Sequence, residues 1–67
     1  QTISSSSLRS IGYERDTSTL EIEFFNGSVH QYYDVPAWQF LSLMLAPSRG
    51  SYLNSEIRDN YLHARVS

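Results

Sequence analysis

The chain contains no cysteine and no lysine, only two prolines and three glycines, and no apolar run approaching 18 residues. Without cysteine there are no disulfides, thiolate metal sites or thiol nucleophiles. Without lysine, five arginines are the only fixed cations against seven carboxylates, for a net charge of −2. That balance argues against a broad basic patch for membranes or nucleic acid as the main business of the chain. What is present is 40% hydrophobic residues, with five Tyr, three Phe and one Trp among 67 residues. This is too apolar for a disordered segment and enough for one small, marginally stable domain. The expectation is a single soluble domain with no metal, no cofactor and no membrane partner. With no signal-peptide pattern in view, the expected compartment is cytoplasmic.

Residues 1–7 hold four consecutive serines and Ile3 as the sole apolar anchor. Little there offsets the entropy of ordering, so a flexible lead-in is expected, followed by one domain over 8–62 and a tail over 63–67.

From Leu8 to Tyr33 apolar residues recur with period two, the mark of half-buried strands. Leu20, Ile22 and Phe24 alternate with Glu21, Glu23 and Phe25. Asn26-Gly27 then reads as a two-residue type I′ turn. Such a turn sets Phe24 opposite Val29, Glu23 opposite His30, Ile22 opposite Gln31, Glu21 opposite Tyr32 and Leu20 opposite Tyr33. One face then carries Leu20, Ile22, Phe24, Val29 and Tyr33; the other carries the glutamates with His30 and Tyr32. Upstream, Arg15-Asp16-Thr17-Ser18 reads as a four-residue turn that brings Ile11 to Ile22 and Tyr13 to Leu20.

At Asp34-Val35-Pro36 the period changes to that of a helix. Ala37, Phe40, Leu41, Met44 and Leu45 form its core-facing stripe, with Trp38 beside the core. Pro47 and Gly50 end this helix, and Ser51 caps a second from about Tyr52 to Arg58, with Leu53 and Ile57 one turn apart. Tyr61 closes the edge of the core. The expected fold is α+β: a three-stranded antiparallel meander with two helices packed on one face, in the order β-β-β-α-α.

Several stretches resemble the KTSC domain: Ile11-Gly12-Tyr13 leading to Leu20-Glu21-Ile22-Glu23-Phe24, then Gly27-Ser28-Val29, then Tyr32-Tyr33-Asp34-Val35-Pro36. Ser48-Arg49-Gly50-Ser51-Tyr52-Leu53-Asn54-Ser55-Glu56-Ile57-Arg58 completes the likeness, which runs from about Leu8 to Tyr61. That domain occurs at the C-terminus of some bacterial lysyl-tRNA synthetases and as a small free-standing protein. The resemblance implies RNA binding. The family carries a central Tyr-x-Tyr motif; here His30-Gln31-Tyr32 departs from it at the first position, which weakens any stacking platform that needs both tyrosines.

The residues themselves offer few chemical groups. By the register above, three glutamates crowd the face that His30 and Tyr32 share, which disfavours a phosphate backbone there. His30 opposite Glu23 reads as an ordinary cross-strand charge pair, since His63 is remote and no third metal ligand is in sight. Twelve serines lie mostly in the lead-in and turns, with no histidine and acid converging on one, so no enzyme activity is expected. The charge is uneven: −3 over residues 1–35 and +1 over residues 36–67. Arg49, Arg58 and Arg65, with Asn54 a turn before Arg58, therefore form the candidate anion site, and Tyr32 and His30 complete the candidate binding residues. Two functions follow. The first is a non-catalytic module that binds a protein partner, or a second copy of itself, along an uncovered third-strand edge, His30-Gln31-Tyr32-Tyr33. The second is weak accessory RNA (tRNA) binding by the arginine-bearing C-terminal region.

Overall fold

The computed structural model of the chain describes residues 8–67; the expected lead-in lies outside them. Four strands form one antiparallel sheet in the order β1-β2-β3-β4: β1 (Leu8–Glu14), β2 (Thr19–Phe24), β3 (Val29–Tyr32) and β4 (His63–Arg65). Between β3 and β4 the chain crosses one face of the sheet as α1 (Ala37–Leu45) and α2 (Arg49–Tyr52), the latter continuing into a π-helical turn, Leu53–Ile57.

The β1–β2 register has Ile11 opposite Ile22 and Tyr13 opposite Leu20, as the turn at 15–18 requires, with a bulge near the start of β1 between Leu8 and Ser10. The β2–β3 register differs from the expectation by one residue: Leu20 faces Tyr32, Glu21 faces Gln31, Ile22 faces His30 and Glu23 faces Val29. The cause is the loop. The Gly27 amide donates to the Phe24 carbonyl (2.9 Å) and the Phe24 amide to the Ser28 carbonyl (2.9 Å), so three residues rather than two connect the strands. Gly27 alone adopts positive φ (92°) there, the pattern of a type I turn closed by a glycine bulge; a type I′ turn also needs positive φ at Asn26. Asn26 secures the turn by accepting from the Ser28 amide (2.9 Å) and hydroxyl (2.7 Å). Because strand side chains alternate, a slip of one residue exchanges the faces. Tyr32 joins Leu20 and Ile22 in the core, and the expected His30–Glu23 pair does not form.

The sheet has four strands rather than three because residues 63–65, expected as part of a tail, pair with β3: Tyr32 with His63, Gln31 with Ala64 and His30 with Arg65. The Tyr33 amide also donates to the Leu62 carbonyl (2.8 Å). The third-strand edge expected to be open for strand addition is thus filled by the chain's own C-terminal segment.

Leu20, Ile22, Val35, Leu43 and Ile57 are completely buried between sheet and helices, each contributing about 1.5–3 kcal/mol relative to exposure. The Tyr13 and Phe40 rings stack at 4.8 Å, joining β1 to α1. The core face of α1 is turned by about one residue from the expected stripe: Gln39 and Leu43 are buried, while Leu41 and Leu45 are exposed, as is Trp38 at 62%. A polar side chain holds this orientation. The Gln39 carbonyl oxygen accepts from the Tyr52 hydroxyl and its amide donates to the Tyr61 hydroxyl (3.2 Å), so its burial leaves nothing unpaired. Asp34 makes no capping bond to α1 and instead takes left-handed φ (58°) just before it. The second helix begins three residues earlier than expected. Ser48, not Ser51, is its cap, accepting from the Ser51 amide (3.3 Å), and Gly50 lies buried within it.

Candidate functional site

The helix that starts at Ser48 widens after one turn. The Arg58 amide donates to the Leu53 carbonyl (2.8 Å), an i→i+5 bond, and the Ser55 hydroxyl donates to the Ser51 carbonyl (2.9 Å). Single π turns of this kind recur at functional sites. Here the turn sends Leu53 and Ile57 into the core and leaves Asn54 and Arg58 exposed side by side. The Arg58 guanidinium donates to the Asn54 side-chain oxygen at 2.8 Å.

Across from this turn lie the ends of β2, β3 and β4. A cleft of about 360 Å³ separates them, lined by Phe24, Asn26, Ser28, His30 and Tyr32 on the sheet side, by Gly50, Leu53, Asn54 and Arg58 on the helix side, and by His63 at the rim. No carboxylate lines it. The Phe24 and His30 rings meet edge to face at 5.3 Å, and Tyr32 and His63 lie tilted at 5.0 Å, so four rings gather at one end of the sheet. Arg65 stands opposite His30 on the neighbouring strand. Its guanidinium donates to the Ser67 backbone oxygen (2.9 Å), and among the described residues neither Arg58 nor Arg65 is ion-paired to a side-chain carboxylate.

The electrostatics follow from that company. Burial, then Arg65, then His63, hold the His30 imidazole below the ordinary histidine value. The Tyr32 hydroxyl is pushed up by burial, against an opposing pull from the Arg58 guanidinium. Burial is the larger cause in both, and the arginines and His63 add a cationic contribution to it.

Four of the six expected binding residues, His30, Tyr32, Asn54 and Arg58, line this one cleft. Arg65 stands beside it, opposite His30, and Arg49 lies elsewhere. Arg49 begins α2 and turns away to donate to the Met44 carbonyl at the end of α1 (3.2 Å), a helix-terminal role; it borders a separate hollow with Leu8, Arg9, Ser10, Ile11 and Met44. Sequence reasoning missed His63, Phe24 and Gly50 as members of the site. His63 enters only through the pairing of β4, for which three residues carry no alternating apolar signal. Among the described residues no three His, Cys, Asp or Glu side chains are grouped to hold a metal ion, and no helix is long and apolar enough to cross a membrane.

A four-stranded antiparallel sheet covered on one face by two helices, with a cation-lined cleft between β3, β4 and the second helix, defines a small α+β module. The chain belongs to the KTSC domain family, which it matches over residues 4–61. It is similar in structure to a KTSC domain protein from Yersinia pestis, known from a crystal structure, with a TM-score of 0.86 and 35% identity over 100% of this chain and 94% of that one. It is 36% identical over 65 residues to an uncharacterized protein of Stutzerimonas stutzeri, covering 96% of this chain and 92% of that protein. It is also 37% identical over 60 residues, 90% of this chain, to a lysine–tRNA ligase of Nostoc punctiforme. The chain spans only 11% of that ligase.

Proposed function

We propose that this domain is a non-catalytic accessory module that binds RNA, tRNA first, through the cleft between β3, β4 and the π turn. The observation that carries the reading is the cleft's composition: Arg58, His30 and His63, with Arg65 beside them, around a recess whose lining holds four aromatic or imidazole rings and no carboxylate. Cations of this kind attract phosphates, and rings serve single-stranded bases. The likeness to a tenth of a lysine–tRNA ligase supports tRNA as the first ligand to try. β4 occupies the edge of β3 that self-association by strand addition would need.

With two arginines and a histidine or two at the cleft, binding is weak, around ~10⁻⁴ to 10⁻⁶ M, and log affinity falls with log salt at a slope of about −2 to −3. Such affinity suits a module whose effective concentration is raised by a tethered or neighbouring partner. Fluorescence anisotropy with labelled tRNA at about 50 mM salt tests the reading. Binding by the unaltered domain and its loss in Arg58→Ala support it; no binding by the unaltered domain ends it.

A further inference from the structure

RNA offers a protein two kinds of anionic target: the regular, convex phosphate rows of a duplex, and the separate nucleotides of loops, bulges and ends. Duplex recognition spreads contacts across two successive grooves and needs cations spaced over an open surface. The arginines here are not spread in that way. Arg9 sits near Glu23 (3.9 Å) on the glutamate face of the sheet, and Arg49 is turned to the end of α1. Arg58 lines, with two histidines, a recess of about 360 Å³, at the small end of the range of about 300–1,000 Å³ for sites that enclose small ligands, and Arg65 stands opposite His30 on β4. A recess of that size admits one extruded residue of a polymer and excludes a helix.

Its walls carry complementary chemistry. The Asn54 oxygen engages one Arg58 nitrogen, which orients the guanidinium and leaves its other N–H groups, like the Asn54 amide donors, without partners among the described residues. Such a fork matches phosphate geometry. Phe24 and His30 supply ring surface at the opposite wall, and His63 at the rim. We infer that the cleft receives a single unpaired, phosphate-bearing nucleotide, its phosphate on Arg58 and its base against the rings of Phe24, His30 and His63. This rests on the RNA reading and specifies which part of an RNA is held.

The test compares a labelled single-stranded RNA octamer with a blunt-ended RNA duplex of the same sequence, alongside tRNA, by anisotropy at about 50 mM salt. The single strand binds at least about tenfold more tightly than the duplex, the effect of roughly one stacked base. Arg58→Ala and His63→Ala, both at exposed positions, each remove most of that preference and leave duplex binding within about twofold. Equal binding of single strand and duplex, with tRNA still bound, overturns the nucleotide assignment and preserves the RNA reading. A preference that survives both substitutions overturns the assignment to this cleft. Absence of binding to tRNA and to both oligonucleotides overturns the two together.

Discussion

On one face of the sheet Glu14, Glu21 and Glu23 stand among Ser10, Gly12 and Gln31, tied to one another by exposed hydrogen bonds: Ser10 to Glu23 at 3.0 Å and Gln31 to Glu21 at 2.9 Å. An open depression of about 470 Å³ on this side is bordered by Glu14 and Glu21 and by no cation. On the other face the same strands present Leu20, Ile22 and Tyr32 to the helices and, where the helical cover ends, His30 and His63 to a cleft shared with Arg58. The larger depression is acidic, and the smaller one gathers the cations and rings. Size therefore does not mark the binding face; charge and ring content do. The assignment of His30 and Tyr32 to the second face comes from one extra residue in the β2–β3 loop, because alternation converts a shift of one into a change of side.

The comparison breaks first in stability. Ile22→Ala, at a completely buried position, costs about 2–5 kcal/mol, a large part of what a domain of this size has. Glu21→Ala, next to it in sequence but on the open face, changes stability by less than about 0.5 kcal/mol. Urea denaturation with a common slope for both variants measures the difference.

Binding is the next largest effect. Arg58→Ala lowers tRNA affinity by about tenfold or more and makes the salt slope shallower by about 1, whereas Glu23→Gln on the other face moves affinity by less than about threefold. Anisotropy titrations at several salt concentrations report both quantities.

A pH series sharpens the contrast further. The folded chain holds His30 below its ordinary value of 6.5, so between 6.5 and that lowered value the unfolded chain binds the proton more readily. Stability is then fully present above about pH 6.5 and is lost as pH falls through the folded value. His63 on β4 and Arg58 on the π turn face the same cleft, Arg65 stands opposite His30, and replacement of His30 alone isolates its share. Thermal melts show a flatter acid limb for His30→Gln. RNA affinity moves in the opposite direction, rising as pH falls from about 7.5 to about 5.5, because an anion in the cleft favours protonated imidazole. Arg49→Ala gives the smallest effect: its guanidinium serves the Met44 carbonyl outside the cleft, so tRNA affinity stays within about twofold.

How much of this was legible in the sequence depends on what each element needed. The β1–β2 register followed from the four-residue turn at 15–18 together with alternation, because Ile11, Tyr13, Leu20 and Ile22 then fall on one face. The β2–β3 register did not, because Asn26-Gly27 serves both a two-residue and a three-residue loop, which differ in the backbone dihedral at Asn26. The face of α1 was misjudged because hydropathy places Gln39 outside, while two tyrosine hydroxyls make its burial tolerable. Pairing of His63–Arg65 carries no apolar pattern, and its absence from the reading made the third strand look like an edge. The site residues were legible singly, as scarce cations, rings and amides. Their common cleft was not, since the expected register put His30 and Tyr32 on the side away from Arg58.

The face that RNA touches is read most directly by chemical-shift mapping of the ¹⁵N-labelled domain as tRNA is added. The expected result is that the largest changes fall on His30, Tyr32, Asn54, Arg58 and His63, with Gly12, Glu21 and Gln31 nearly still. Changes centred on Gly12, Glu21 and Gln31 would place the ligand on the glutamate face and contradict the assignment.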